Sequence, residues 1–233
     1  MKLSRPTAIF FGLIAYLVLV KLLLLLWPGV FRSPAQAAVF GWPWLLLWAV
    51  LGGIGVVLSE RTGFADPWNG GIPNRKRILI PLSLGVGFGV LAIGVDRWTG
   101  WSDLVARKMG IASIHISFPA SAIVYPGGAI IVEILYRLFP LPLLVWLVSS
   151  VLLRGRRQTE TFWAAAIVLS TIEPLGDLGL KAFGFVTMAA VFAEDYALNL
   201  TQAYLFRRLG FLAAILMRVF FYLVWHVLWG LRP

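Results

Sequence analysis

The sequence predicts an all-α fold, a polytopic transmembrane helix bundle of about seven membrane helices, with six to eight allowed by the length rule. Three observations predict it. Hydrophobic residues make up 60% of the 233-residue chain and charged residues 13%, against a globular norm of about 45–50% and about 25%. A soluble chain this short has too little interior for so many apolar side chains. The apolar residues are also gathered into runs near the roughly 20 residues that cross a bilayer. Finally, 11 tryptophans and 16 phenylalanines suit aromatic belts at both lipid interfaces.

The runs follow in order. Ala8–Trp27 is broken only by Lys21. Val39–Ser59 carries Gly52, Gly53 and Gly55, which permit close helix contact. Ile78–Val95 is the third, and Trp98–Met109 reads as an amphipathic helix lying along the interface. Gly127–Leu153 is long enough to span, with a kink or break expected at Pro140 and Pro142. Phe162–Ile172 is short and continues toward Pro174, while Ala182–Phe206 is long but holds Glu194 and Asp195 at its middle. Gly210–Trp229 closes the chain. The whole reads as one integral membrane domain, 1–233, without repeats or a separate soluble part.

The basic clusters order the loops. Lys2 and Arg5, Arg75–Arg77, Arg154–Arg157 and Arg207–Arg208 each fall after an even number of crossings, so all face the cytoplasm together with the N-terminus. Lys2, Arg5 and the Ser33–Ala37 segment superficially resemble a secretory signal, but the apolar run is too long, and an uncleaved first helix is expected. The net charge of +10 is spread in these short clusters, which argues for topology and anionic lipid rather than nucleic acid. The absence of cysteine excludes disulfides, thiolate ligands and a Cys nucleophile.

A charge in the hydrocarbon layer costs about 2.5–3.5 kcal/mol even on the lenient scale, so each one needs a reason. Lys21, Glu133, Arg137, Glu173, Asp177, Glu194, Asp195 and Arg218 are the candidates. Lys21 reads as a snorkelling or packing residue. Glu133 and Arg137 stand i, i+4 with the acid first, the favourable order for a helical ion pair. Glu194 and Asp195 suggest a break between half-helices or a water-facing turn, and His115 an interfacial polar residue. Arg218, Tyr222 and His226 recur every four residues and form one polar stripe, which faces a buried cavity rather than lipid. His226 alone is a weak signal for metal or tetrapyrrole ligation.

Three stretches resemble the CPBP family of intramembrane proteins, which includes the type II CAAX prenyl proteases and bacteriocin-processing or self-immunity proteins. Tyr125–Arg137 (YPGGAIIVEILYR) is similar to the family's Glu-Glu-x-x-x-Arg motif after a Gly-Gly lead-in. Phe162–Pro174 (FWAAAIVLSTIEP) stands in the place of Phe-x-x-x-His. Ala203–Tyr222 (AYLFRRLGFLAAILMRVFFY) is similar to the closing run that leads to His-x-x-x-Asn/Asp. The likeness covers 111–233, whereas 1–110 matches only as generic membrane helices.

The resemblance implies a water-activating Glu and metal-binding or oxyanion-stabilising histidines. This chain has Val132, Glu173, Arg218 and Tyr222 in the places of the first Glu, the two histidines and the Asn/Asp. Only Glu133 and Arg137 match. Valine accepts no proton, and arginine neither ligates metal nor acts as a base near neutral pH. The expectation is a degenerate site without metal or cofactor, in which Glu173 and Arg218 pair directly and Tyr222 donates a further hydrogen bond. The rival pairing joins Arg218 to Glu133. The corresponding function is a non-catalytic binding, assembly or structural subunit in an inner membrane, in contact with lipid and other membrane proteins and with no nucleic acid. The alternatives are an intramembrane endopeptidase with a rearranged site, using Glu133 or Glu173 as base and His226 as ligand, and a transporter using Glu194 and Asp195.

Overall fold

The computed structural model describes residues 3–27, 29–31, 34–67, 71–178 and 184–232, and their regular elements are all helices, with no strand among them. The first helix, α1 (Arg5–Leu25), starts where the Ser4 hydroxyl accepts from the Thr7 amide at 3.3 Å. After the short α2 (Pro34–Ala38), Pro43 in the first turn opens α3 (Trp42–Arg61). This helix runs back along α1, so that Ser4 Oγ donates to Glu60 Oε1 at 2.6 Å. Helix α4 (Asn74–Thr99) ends at Gly100 with φ 68, and the chain turns there into α5 (Trp101–Met109), the expected amphipathic segment.

The next helix, α6 (Ser121–Leu152), is continuous through Pro140 and Pro142. A proline ring collides with the carbonyl four residues back. A π-helical turn over Ile134–Leu138 relieves this, with the Phe139 amide donating five residues back to Ile134 at 3.2 Å. Of the kink or break expected here, the break is absent and a widened turn takes its place. Two shorter helices follow, α7 (Gln158–Leu169) and α8 (Ile172–Leu178), then α9 (Phe185–Leu209) and α10 (Phe211–Leu231). Of the break or water-facing turn expected at Glu194 and Asp195, the break is absent: α9 runs unbroken past both, and their side chains line a cavity inside the bundle.

Five of these helices are long and apolar enough to cross a membrane: α1, α3, α4, α6 and α10. Leu22, Leu46, Val50, Val90 and Leu91 are exposed on the first three, an outward apolar surface that suits acyl chains. By that criterion α7, with 12 residues, is too short, and α9, which carries Glu194, Asp195, Asn199 and Gln202, is not apolar enough. Close backbone approach sets the packing. A side chain at Gly55 of α3 would strike the Leu138 carbonyl of α6, and one at Gly85 of α4 would strike the Met217 carbonyl of α10.

Helices α4 and α10 run in the same direction, since Gly85 meets Met217–Phe221 and Gly89 meets Phe221–Val224. The Gln158 side chain donates to the Thr62 carbonyl, Arg207 reaches Thr159, and Gly210 packs on Pro67. These contacts gather the clusters around Arg75–Arg77, Arg154–Arg157 and Arg207–Arg208 at one end of the bundle. Lys2 lies outside the described residues.

Candidate functional site: a buried ion network beside a polar cavity

The site lies in the middle of the bundle, where α6, α8, α9 and α10 converge. Local helix geometry makes the first contact. Four residues apart on α6, Arg137 Nε donates to Glu133 Oε2 at 2.6 Å, with the two side chains 3% and 0% exposed. Arg137 Nη1 then reaches Asn199 Oδ1 of α9 at 2.6 Å.

The same oxygen accepts from Arg218 Nη2 of α10 at 3.0 Å, so one amide oxygen joins two buried guanidiniums. The Asn199 Nδ2 donates to the Asp195 carbonyl at 2.9 Å, which holds the amide in this orientation. On its other side Arg218 meets Glu173, Nη1 to Oε1 at 3.0 Å and Nη2 to Oε2 at 2.7 Å. This is the bidentate match of a planar guanidinium to a carboxylate.

Glu133, Arg137, Asn199 and Arg218 are all at most 2% exposed, and the Glu173 side chain is 20% exposed. Two acids and two bases therefore neutralise one another inside the bundle, where an unpaired charge of either sign would be costly. The Glu173–Arg218 contact expected from the resemblance is present. The rival contact is not, because Glu133 gives its hydrogen-bonded oxygen to Arg137.

The stripe on α10 faces a single cavity, as expected, but its members take different partners. The Arg218 guanidinium stands 5.7 Å from the Tyr222 ring centre, a cation–π distance, and also lies within hydrogen-bonding reach of the Tyr222 phenol. One turn farther, His226 leaves the ion network and joins an aromatic cluster. Its Nδ1 is 3.0 Å from His115 Nδ1, and its ring stacks on Tyr125 at 4.3 Å and 10°. His115 is buried and is held where Gly230 packs against its ring. Tyr125 fixes the preceding loop, because the Ile116 amide donates to Tyr125 Oη at 2.9 Å.

Glu173, Glu194, Asp195, Arg218, Tyr222 and His226 line one cavity of about 320 Å³. That volume falls at the small end of ligand pockets. Lys21 lies away from it, against Leu24 and Phe40 near the start of α3, and the side chain of Asp177 lies outside the described residues.

Chemically the network binds charge more than it moves protons. Both oxygens of Glu173 accept from one guanidinium, which leaves that carboxylate poorly placed to take a proton from water. Among the described residues, no three His, Cys, Asp or Glu side chains stand close enough to share a metal ion. Asn199 and His115 are the two residues that sequence reasoning did not place here. Their partners are 62 and 111 positions away, which nothing local to either residue reveals. Compared with protein-family models, with curated proteins and with solved structures, the chain has no significant match.

Proposed function

We propose that the chain is a non-catalytic integral membrane protein on a CPBP-like scaffold, acting as a binding, assembly or structural subunit of a membrane complex. In this reading it sits in a cell's inner membrane, with the N-terminus and the basic end on the cytoplasmic side, and uses no cofactor. The observation that supports it is the bidentate Glu173–Arg218 pair, at the two positions where the resemblance puts histidines. A guanidinium there repels a metal ion, and the carboxylate that might have bound one is already engaged.

The purified protein is expected to cleave neither prenylated nor unprenylated peptides, with or without added zinc, and to copurify from native membranes with other membrane subunits. A second reading, the CAAX-type intramembrane endopeptidase with a rearranged site, draws on the cavity that Glu173, Tyr222 and His226 share. Metal-dependent peptide cleavage that disappears in Glu173→Gln would establish it and reject the first.

A further inference from the structure

We infer that the basic end of the bundle is a binding surface for the headgroups of anionic phospholipids, centred on Arg154, Arg156, Arg157 and Arg208. The three guanidiniums of the Arg154–Arg157 turn are all exposed. The turn that carries them is held by three hydrogen bonds: the Gly155 amide to the Ser149 carbonyl at 2.7 Å, the Arg156 amide to the Leu153 carbonyl at 3.1 Å, and Ser149 Oγ to the Arg156 carbonyl at 2.9 Å. Helix α7 starts directly after it, and the contact between Arg207 and Thr159 brings the end of α9, with Arg208, beside it.

The depth of these residues selects lipid over a soluble polyanion. Val151, Leu152 and Leu153 are 49%, 67% and 38% exposed and immediately precede the turn. Apolar side chains thus point outward one step below the arginines, as acyl chains lie below phosphates. Arg208 repeats the arrangement, 5.9 Å over the ring of Tyr204, which is 45% exposed and faces Trp163 at 6.4 Å. An outward aromatic pair under an arginine is what a membrane interface favours.

Charge gives the sign of the ligand. At this end Arg61, Arg154, Arg156, Arg157 and Arg208 stand exposed against the exposed acids Glu60 and Glu160. At the other end Arg97, Arg107 and Lys108 are interleaved with Asp96 and Asp103. Arginine forks match the oxygens of a phosphodiester, and a net negative headgroup adds attraction that a zwitterionic one lacks.

The test places the full chain in nanodiscs of equal phosphatidylglycerol and phosphatidylcholine and counts the lipids retained on release in native mass spectrometry. Phosphatidylglycerol is expected in excess, with the preference falling roughly fivefold per arginine removed in Arg154→Gln, Arg156→Gln and Arg157→Gln. Lysine at the same three positions should keep most of it, and Arg97→Gln with Arg107→Gln at the other end should change nothing. If the Gln variants do not stay folded, about 0.5 M salt on the unaltered protein reads the same attraction and should abolish the preference. Equal retention of the two lipids, a preference that survives the triple Gln variant or the salt, or equally tight binding of inorganic phosphate would overturn the assignment.

Discussion

Arg218 and Glu173, 45 residues apart in the chain, meet through two parallel hydrogen bonds of 3.0 and 2.7 Å inside the helix bundle. The amide of Asn199 links this pair to Glu133 and Arg137, so the four charges behave as one neutral unit. Every element of that unit comes from a different helix or a different turn, and its loss would loosen α6, α8, α9 and α10 together.

Removing one member of the pair strands the other. Arg218→Met or Glu173→Gln alone is expected to cost about 3–5 kcal/mol of stability in detergent, less where the partly exposed Glu173 can reach water. The double variant should recover part of this, with a coupling of about 2–3 kcal/mol in a double-mutant cycle. Additive losses would show that the two side chains do not interact.

Asn199 acts as an acceptor, not as a filler of space. Asn199→Leu has nearly the same volume but leaves two guanidinium donors without that oxygen, and a loss of roughly 2–3 kcal/mol is expected. Asn199→Asp keeps the acceptor and should cost less. Equal losses in a denaturation assay would assign the role to packing instead.

The α4–α10 contact depends on glycine. A Cβ on Gly89 would come 2.6 Å from Val224 Cβ, so Gly89→Ala is expected to destabilise by about 1–3 kcal/mol. Gly87 has nothing within 4 Å, and Gly87→Ala on the same helix should stabilise by about 0.5–1 kcal/mol. Opposite signs in thermal unfolding are the check.

The native chain has no cysteine, so single cysteines report sidedness. Lys76→Cys, Arg156→Cys and Arg208→Cys are expected to react with an impermeant reagent from one side of the membrane, and Arg107→Cys from the other. Labelling any two of the first three from opposite sides would contradict the shared end.

Much of this was legible before any coordinates. The long apolar runs at α1, α3, α4, α6 and α10 announce themselves because burial of apolar surface and helix length are properties of a contiguous segment. Glu133–Arg137 was legible for the same reason, since i, i+4 spacing puts two side chains together wherever the helix goes. The shared end of the basic clusters followed from counting crossings.

Other features depended on contacts that no segment contains. Whether α9 would break at Glu194 depended on what stood beside it, and a protein wall made a continuous helix tolerable. Pro140 was expected to kink or break α6, and a π turn kept the helix continuous. Asn199 found two arginines, and His226 found His115 while keeping its ring 5.1 Å from that of Tyr222. The sequence by itself determined that this is a helical membrane protein, where its long apolar helices lie and which charges needed partners. Only the tertiary structure decided which partner each received, because the free energy of a buried polar group is set by the few side chains within hydrogen-bonding reach, and these come from helices far apart in the chain.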